Sequence, residues 1–378
     1  MRTRVCDMLE VEFPILAFSH CRDVVAAVTN AGGFGVLGAV AHTPDQLEVD
    51  LTWIEEQTKG RPYGLDLLLP TKYAGAESGG IDRDTIRQLL PPQQQEFVDD
   101  ILRRYDVPEL PEDMTKIVNR GLLTSVSPKG YGPLLDVAFA HRISLVASAL
   151  GPPPEALIER AHGAGVLVAA LAGTATHAER HRDAGVDLIV AQGTEAGGHT
   201  GEIATMVLVP EVVDAVAPIP VLAAGGIARG RQVAAAMALG AQGVWCGSVW
   251  LTTAEAETQP SVKEKFLAAT SRDTVRSRSL TGKPARMLRS AWTDEWDRPD
   301  APEALPMPLQ TALVAEAQIR INRAAGKPDS GAHQLANYFV GQVVGQLDRV
   351  RPARQVVLDM VTEYAEVVER FAEQHERA

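Results

Sequence analysis

Short apolar runs of strand length recur along the chain, and they constrain its fold more than any other feature. Because each run is apolar at successive positions, both faces of the strand must be buried, which is typical of a parallel sheet. We identify eight candidate strands: FPILAF (13–18), GFGVLG (33 onward), YGLDLLL (63–69), ISLVASAL (143–150), VLVAALA (166–172), VDLIVAQ (186–192), IPVLAAG (219–225) and QGVWCG (242–247).

Alanine-rich segments with helical spacing separate most of these runs. Residues 152–165, 175–185 and 229–240 are examples, and each ends in a glycine suited to a helix C-terminus. Alternating strands and helices predict a parallel sheet covered by helices. Eight such units favour a closed (β/α)8 barrel, because an open doubly wound sheet usually has fewer strands and a glycine fingerprint in its first turn. We therefore predict an α/β fold of the TIM-barrel type.

Two regions interrupt this alternation. Residues 70 to about 140 are too long for a simple crossover, so we predict an inserted, lid-like segment after the third strand. Residues 252–378 follow the eighth strand and predict a C-terminal helical extension. We interpret both as additions to one barrel domain that spans residues 1–378. Within the insert, Lys129 is the candidate for contacting an anionic substrate, and a solvated surface lysine is the alternative.

Composition limits the partners. The 378 residues are 46% hydrophobic, which is enough for a large core, and the net charge of −12 argues against nucleic acid and anionic membranes as partners. No apolar run reaches the roughly 18–20 residues of a spanning helix, and the N-terminus lacks signal-peptide features, so we expect a cytoplasmic protein. The three widely spaced cysteines fit neither a disulfide framework nor a zinc site, and we expect no metal.

Glycine-rich segments follow the last three predicted strands. They are QGTEAGGHTG (192–201), AAGGIARG (223–230) and WCGSVWL (245–251), and we call them the three glycine loops. In a TIM barrel these loops lie together at the face where the chemistry occurs, and glycine lets backbone N–H groups approach an anion closely. Turn formation explains any one of the loops. Three in succession favour a binding site for a phosphate-bearing ligand.

His199 lies in the first glycine loop, after the sixth strand. An imidazole titrates near neutral pH, so it can take a proton from a carbon acid or give one to a developing anion. Glu195, four residues earlier, is a candidate for orienting the ring, and a solvated loop carboxylate is the alternative. We interpret His199 as the candidate catalytic residue.

At these residues the chain resembles the nitronate monooxygenase family, formerly called 2-nitropropane dioxygenases. The resemblance is carried by VDLIVAQGTEAGGHTG, PVLAAGGIARGRQVAAAMALGAQGVWCGSVWL and TVRSRSLTGKPARMLRS. It extends in order from FPILAF to YFVGQVVGQLDRVRPARQVV, omitting mainly 70–140 and part of 295–330. The family consists of FMN-dependent TIM barrels. The residues alone suggest a phosphate, and the resemblance implies that the phosphate belongs to FMN.

The resemblance also implies roles for individual residues. His199 falls on the position of the catalytic base. Gln192, Gly197 and Gly198 would lie beside the flavin, together with Asp66 and the segment Ala17, Phe18 and Ser19. The residues expected around the phosphate are Gly225, Gly226, Trp245, Cys246, Gly247 and Ser248.

Two departures from the family concern the substrate more than the cofactor. Where the family usually has proline, methionine, alanine and glycine near residue 17, this chain has AFSHCRD, so His20, Cys21 and Arg22 either bring polar groups close to the flavin or cap the first helix. Where asparagine is common, the chain has Asp66. An ionised carboxylate there would oppose an anionic reduced flavin, so we expect Asp66 to be protonated or held by a cation.

The resemblance implies oxidation of alkyl nitronates by FMN and dioxygen, giving a carbonyl compound and nitrite. If nitroalkanes are also substrates, His199 must remove the α-proton; otherwise it supplies positive charge or a hydrogen bond. One alternative is an FMN-dependent, NAD(P)H-using reductase that acts on an enoyl-acyl carrier protein or a quinone. Another is a flavin-free phosphate-binding barrel, either an enzyme of phosphorylated sugars or a binding module. The expected partners are a small-molecule substrate and dioxygen, and a homodimer is left open.

Overall fold

Eight parallel strands form a closed barrel, which confirms the predicted TIM-barrel fold. The computed structural model describes residues 1–70, 72–78, 81, 83–111 and 127–376. The strand order is β1-β2-β3-β4-β5-β6-β8-β9, and β9 pairs with β1 to close the ring. Each predicted run overlaps one of these strands: β1 (Ile15–Ser19), β2 (Phe34–Gly38), β3 (Gly64–Leu68), β4 (Leu145–Ala149), β5 (Leu167–Ala172), β6 (Leu188–Gln192), β8 (Val221–Ala224) and β9 (Gly243–Cys246).

Side chains alternate between the barrel interior and the layer between strands and helices, as the two-residue period of a strand requires. In β3, Leu65 and Leu67 pack in the outer layer, whereas Asp66 faces the other way. The interior contains a separate apolar cluster. Val5 and Leu9 of α1 (Arg4–Leu9) belong to it, so this first helix closes the N-terminal end of the barrel.

Helices follow the strands in the predicted pattern. The helices of the barrel wall are α2 (Arg22–Asn30), α3 (Pro44–Thr58), α7 (Glu155–Gly163), α8 (Ala175–Ala184), α9 (Thr205–Val216) and α10 (Gly230–Ala238). α3 begins with a capping box in which Thr43 and Gln46 satisfy each other's backbone N–H groups. Within the described ranges, no helix combines the length and apolar character that crossing a bilayer requires.

The insert after β3 contains α4 (Arg83–Gln88), α5 (Pro92–Arg104) and α6 (Pro128–Ala140). α6 packs on α3 and takes the place of the crossover helix before β4. Residues 112–126 of the predicted lid lie outside the described residues. A bidentate ion pair connects α5 to the C-terminal extension. It joins Arg104 to Glu295, and both N–O distances are 2.7 Å. Hydrogen bonding to Arg104 lowers the pKa of Glu295 to about 2.

The C-terminal extension completes the barrel wall. It contains α11 (Pro260–Ala268), α12 (Ala291–Trp296), α13 (Leu309–Ala324), α14 (Gly331–Leu335) and α15 (Ala353–Glu376). α15 packs against α10 and α2, the position of the last helix of the ring. A Cβ on Gly230 would collide with the Met360 carbonyl, so the close contact of α10 with α15 requires glycine there.

A small antiparallel sheet above the barrel was not predicted. A hairpin of β10 (Thr274–Ser277) and β11 (Ala285–Leu288) pairs with the two-residue β7 (Gly198–His199). The register places Ala285 opposite His199 and Arg286 opposite Gly198. The hairpin therefore holds the first glycine loop at the carboxyl ends of the strands.

Candidate active site

A cavity of about 930 Å³ opens at the carboxyl ends of the strands. This is the face at which TIM-barrel enzymes place their chemistry. Its lining includes every site residue expected from the sequence except Ala17, namely Phe18, Ser19, Asp66, Gln192, Gly197, Gly198, His199, Gly225, Gly226, Trp245, Cys246, Gly247 and Ser248. The fold thus brings these residues to one cavity.

Ala17 differs because of strand alternation. Its side chain is fully buried in the layer between β1 and the helices. Phe18, the next residue, faces the barrel interior and stacks on Trp245, with ring centroids 6.3 Å apart and an interplanar angle of 22°. These two rings give the cavity an apolar floor at the mouth of the barrel.

The second and third glycine loops offer unpaired backbone donors. The amide N–H groups of Gly226, Gly247 and Ser248 make no hydrogen bond within the part of the chain that the structure describes. Gly225 and Gly226 have φ values of +94° and +72°, which favour glycine. Adjacent free N–H groups are a standard anion-binding arrangement, so the loops fit the phosphate of FMN.

The first glycine loop is packed against the C-terminal segment. A Cβ on Gly197 would lie 2.8 Å from the backbone nitrogen of Gly341, and a Cβ on Gly341 would lie 2.5 Å from the Glu195 carbonyl oxygen. Gly341 also donates its N–H to Ser248 Oγ at 2.8 Å. The Ser248 hydroxyl oxygen therefore connects the third loop to this segment, which leaves the hydroxyl hydrogen and the backbone N–H of Ser248 as donors for a ligand.

Glu195 does not orient His199. Its carboxylate accepts hydrogen bonds from the Thr205 N–H (3.0 Å) and hydroxyl (2.8 Å) at the start of α9. The negative charge of Glu195 also interacts favourably with the partial positive charge at this N-terminal end of the helix. Glu195 is therefore a structural residue of the loop, which corrects the role considered for it from the sequence.

His199 is instead held by the β10–β11 hairpin. Its Nε2 lies 2.8 Å from Thr281 Oγ1, and the ring packs near Phe339 at a centroid distance of 6.3 Å. Burial, assisted by the positive charge of Lys283, lowers the pKa of His199 to about 4. The imidazole is therefore neutral at pH 7, which fits a proton acceptor and not a source of positive charge.

Asp66 lies in the cavity wall and is 8% exposed. Burial raises its pKa to about 8, and no ion pair to it exists among the described residues. Of the two expectations for Asp66, the protonated state is the one that agrees with this environment. A neutral carboxyl resembles the amide that is common at this position, because both can donate and accept a hydrogen bond.

Two other expected residues contribute little reactivity of their own. Gln192 ends β6 and is half-buried in the cavity wall. Cys246 ends β9, and burial raises its pKa to about 12, so the thiol is protonated and a weak nucleophile. The Cys246 carbonyl accepts a hydrogen bond from Trp250 Nε1 at 2.7 Å, which fixes the start of the third loop.

Two lysines that the sequence analysis did not identify as site residues line the cavity. Lys283 is half-buried and Lys72 is exposed, and neither forms an ion pair with another described residue. Burial, followed by the charge of Lys72, lowers the pKa of Lys283. Lys129, by contrast, is exposed in the first turn of α6 and does not line the cavity. The motif TGKPAR contained the signal for Lys283, but only the hairpin places it beside His199.

The residues after β1 divide between the two roles considered for them. His20 lines the cavity, and its Nδ1 donates to the Gly38 carbonyl at 2.8 Å. Arg22 points away, pairs with Asp50 at 2.9 Å and stacks over Trp53. Cys21 is the N-cap residue of α2, although its side chain makes no capping bond.

Cys21 also belongs to a group of metal-ligand side chains. Its Sγ and the carboxylates of Asp23 and Glu257 lie within 4.8 Å of one another, the one such group among the described residues. Burial raises the pKa of the Cys21 thiol, and Sγ donates to the Glu255 carbonyl at 3.1 Å. A protonated thiol is a poor metal ligand. All three cysteines of the chain are free.

Known proteins of similar sequence match most of the chain. A protein of Mycobacterium tuberculosis, whose name describes it as a monooxygenase, is 72% identical over 97% of this chain and 98% of its own. A protein of Staphylococcus saprophyticus, by name a nitronate monooxygenase, is 31% identical over 83% of this chain and 86% of its own. The name of the Mycobacterium tuberculosis protein specifies no substrate.

Solved structures of similar fold also cover nearly the whole chain. Nitroalkane oxidase from Streptomyces ansochromogenes has 28% sequence identity and a TM-score of 0.79, covering 97% of this chain and 99% of its own. FabK from Thermotoga maritima has 28% identity and a TM-score of 0.72, covering 99% of each chain. The nitronate monooxygenase family matches residues 2–363. This chain therefore belongs to the nitronate monooxygenase family.

Proposed function

We propose that the protein is an FMN-dependent enzyme that oxidises alkyl nitronates with dioxygen to a carbonyl compound and nitrite. The single observation that supports this most is the grouping of neutral His199, the unpaired Lys283 and the free N–H groups of the glycine loops in one cavity. Bound FMN would supply the two-electron redox chemistry between the nitronate and dioxygen.

The chain's own residues would hold the cofactor. The free N–H groups of Gly226, Gly247 and Ser248 would bind its phosphate. Phe18 and Trp245 supply an apolar surface for a planar ring, and Asp66 in its neutral form supplies a hydrogen-bond donor from the wall. An ionised carboxylate at this position would disfavour the addition of an electron pair to the flavin beside it. Burial keeps Asp66 neutral at pH 7, so the position remains compatible with a flavin.

The substrate side would be formed by His199 and Lys283. A nitronate is an anion, and an unpaired ammonium group at a half-buried site attracts and orients it. His199 is neutral, so it would accept the α-proton of a nitroalkane, or hydrogen bond to a nitronate that has already lost it. The hydrogen bond to Thr281 would keep the imidazole in one orientation.

The second candidate is a nicotinamide-using reductase. The cavity volume of about 930 Å³ supports it, because this is near the upper end for ligand pockets, and a small nitronate beside FMN would not fill it. The two candidates share the fold and the flavin. They differ in which molecule reduces the flavin.

Anaerobic mixing tests the choice. The purified protein is loaded with FMN and mixed with propyl-2-nitronate, NADH or NADPH at equal concentration, while the flavin absorbance is followed. We expect much faster bleaching by the nitronate, and nitrite release when air is admitted. Rapid bleaching by a nicotinamide with little response to the nitronate would establish the reductase instead. A protein that takes up no FMN would exclude both.

A further inference from the structure

One part of the cavity wall lies apart from the second and third glycine loops and adjoins the end of the first. It is formed by the end of β5 and by α8, and we call it the α8 wall; its members are Leu171, Gly173, His177, Arg180 and His181. His181 Nε2 donates to the Leu171 carbonyl at 3.0 Å, which fixes α8 against the strand. A Cβ on Gly173 would lie 3.3 Å from Gly201 Cα, so this wall reaches the loop that carries His199.

Arg180 is the charged group of this wall. Its side chain is exposed, is part of the cavity lining, and forms no ion pair or hydrogen bond with any described residue. Other arginines nearby are paired: Arg182 contacts Asp183 at 2.9 Å, and Arg160 contacts Asp136 at 2.8 Å. The chain has 48 acidic and 36 basic residues, so a shortage of carboxylates does not explain the difference.

His177 adds an imidazole N–H donor one turn before Arg180. Its side chain makes no hydrogen bond inside the described ranges, and it lines the cavity on the same helix face. A guanidinium fork with an imidazole N–H beside it matches the several oxygens of a phosphoryl group better than the two of a carboxylate. Both side chains are free to turn toward such a group.

We propose that the α8 wall is a second anion-binding site, which takes a phosphoryl group of a second ligand bound in the cavity beside FMN. FMN has one phosphate, and the glycine loops after β8 and β9 supply its site; the α8 wall belongs to β5, with β6 in between. The phosphoryl group would come either from a nicotinamide dinucleotide or from a coenzyme A thioester. The inference goes beyond nitronate oxidation and uses only the assignment of the FMN phosphate.

The test measures binding to the FMN-loaded protein by calorimetry, with NADPH, NADH, coenzyme A and inorganic phosphate as separate probes. We expect at least one phosphoryl-bearing organic probe to bind. Arg180→Ala should weaken that probe about 10- to 100-fold, the range for losing a charge-assisted hydrogen bond. His177→Ala should weaken it less, and Arg160→Ala, on the neighbouring helix, should leave it unchanged. Which probe responds identifies the source of the phosphoryl group.

Three outcomes would overturn the proposal. The first is that no probe binds. The second is that wild type and Arg180→Ala bind the probe equally well. The third is that Arg180→Ala loses as much affinity for FMN as for the probe, which would assign Arg180 to the FMN site. Flavin bleaching by propyl-2-nitronate is measured on the same variants. Because Arg180 lies outside the proposed nitronate site, that reaction should be unchanged, so the two proposals fail independently.

Discussion

His199 Nε2 lies 2.8 Å from Thr281 Oγ1, although the two residues are 82 positions apart in sequence. The contact exists because β7, which contains His199, pairs with β11 of the hairpin that carries Thr281 at its turn. Thr281 Oγ1 also lies 3.2 Å from the Lys283 carbonyl oxygen, which can accept its proton. The imidazole of His199, the hydroxyl of Thr281 and the backbone carbonyl of Lys283 thus form one hydrogen-bonded chain beside the cavity.

Replacing His199 by Asn should leave FMN bound and lower turnover with a nitroalkane by about 10²–10⁴-fold, the usual contribution of a general base. FMN content per protein and steady-state turnover are measured together. His162→Asn, on the exposed surface of α7, is the control and should match wild type. Loss of FMN with normal turnover per bound flavin would instead make His199 a structural residue.

Thr281 is a positioning residue for His199. Thr281→Val keeps the shape but removes the hydroxyl, and we expect kcat to fall about 2- to 10-fold, as for one lost neutral hydrogen bond. Thr281→Ser should restore it, because the serine hydroxyl can occupy the same place. Equal activity of the Val and Ser variants would show that the hydrogen bond has no role in catalysis.

Asp66 should make both stability and FMN affinity depend on pH. Its pKa is raised to about 8, so between about pH 4 and pH 8 the folded protein holds a proton that the unfolded chain has released. The free energy of unfolding should therefore fall as pH rises through this window, by at most about 1.4 kcal/mol per pH unit. Above pH 8 the ionised carboxylate should weaken FMN binding.

Asp66→Asn is the matched variant for this pH dependence. Urea unfolding at several pH values and FMN titration at pH 7 and pH 9 should show the Asp66 contribution in wild type and its absence in Asp66→Asn. The two proteins should bind FMN with similar affinity at pH 7, where Asp66 is neutral. Parallel pH profiles for wild type and variant would place the titrating group elsewhere.

Lys283→Met should raise KM for propyl-2-nitronate by roughly 10-fold with a smaller change in kcat, since it removes an unpaired cation at the substrate end of the cavity. The effect should diminish at high salt, which screens the attraction in wild type. Lys129→Met is the control, because Lys129 is exposed and outside the cavity. A larger rise in KM for Lys129→Met than for Lys283→Met would contradict the assignment.

Gly197→Ala should destabilise the first glycine loop. The added Cβ would lie 2.8 Å from Gly341 N and the Val340 carbonyl carbon, which are backbone atoms that cannot move aside easily. We expect a lower melting temperature and weaker FMN binding. Gly163→Ala is the control, because its Cβ would meet no atom within 4 Å at the end of α7, and alanine favours helix by about 1 kcal/mol. Equal melting temperatures for the Gly197 variant and wild type would disprove the close contact.

The sequence by itself determined the barrel, because eight doubly buried strands alternating with amphipathic helices have few other ways to cover both faces of a sheet. It also identified the residues at the carboxyl ends of those strands, since in a parallel barrel all such ends meet at one face. Phe18, Asp66, His199 and Gly225 therefore reach one cavity. Strand order predicts the shared face, and the resemblance to the nitronate monooxygenase family supplied the roles expected for Phe18, Asp66 and Gly225 there.

Tertiary structure alone decided the partners of these residues. Sequence proximity suggested Glu195 for His199, but Glu195 caps α9, and Thr281 reaches His199 through pairing of a hairpin that local patterns did not predict. Lys283 enters the cavity by the same pairing, whereas Lys129 remains outside it. Such contacts join segments 80 or more residues apart, and their geometry depends on packing and on backbone hydrogen bonds between distant strands. No local sequence pattern encodes these distances, and for that reason only the folded chain shows them.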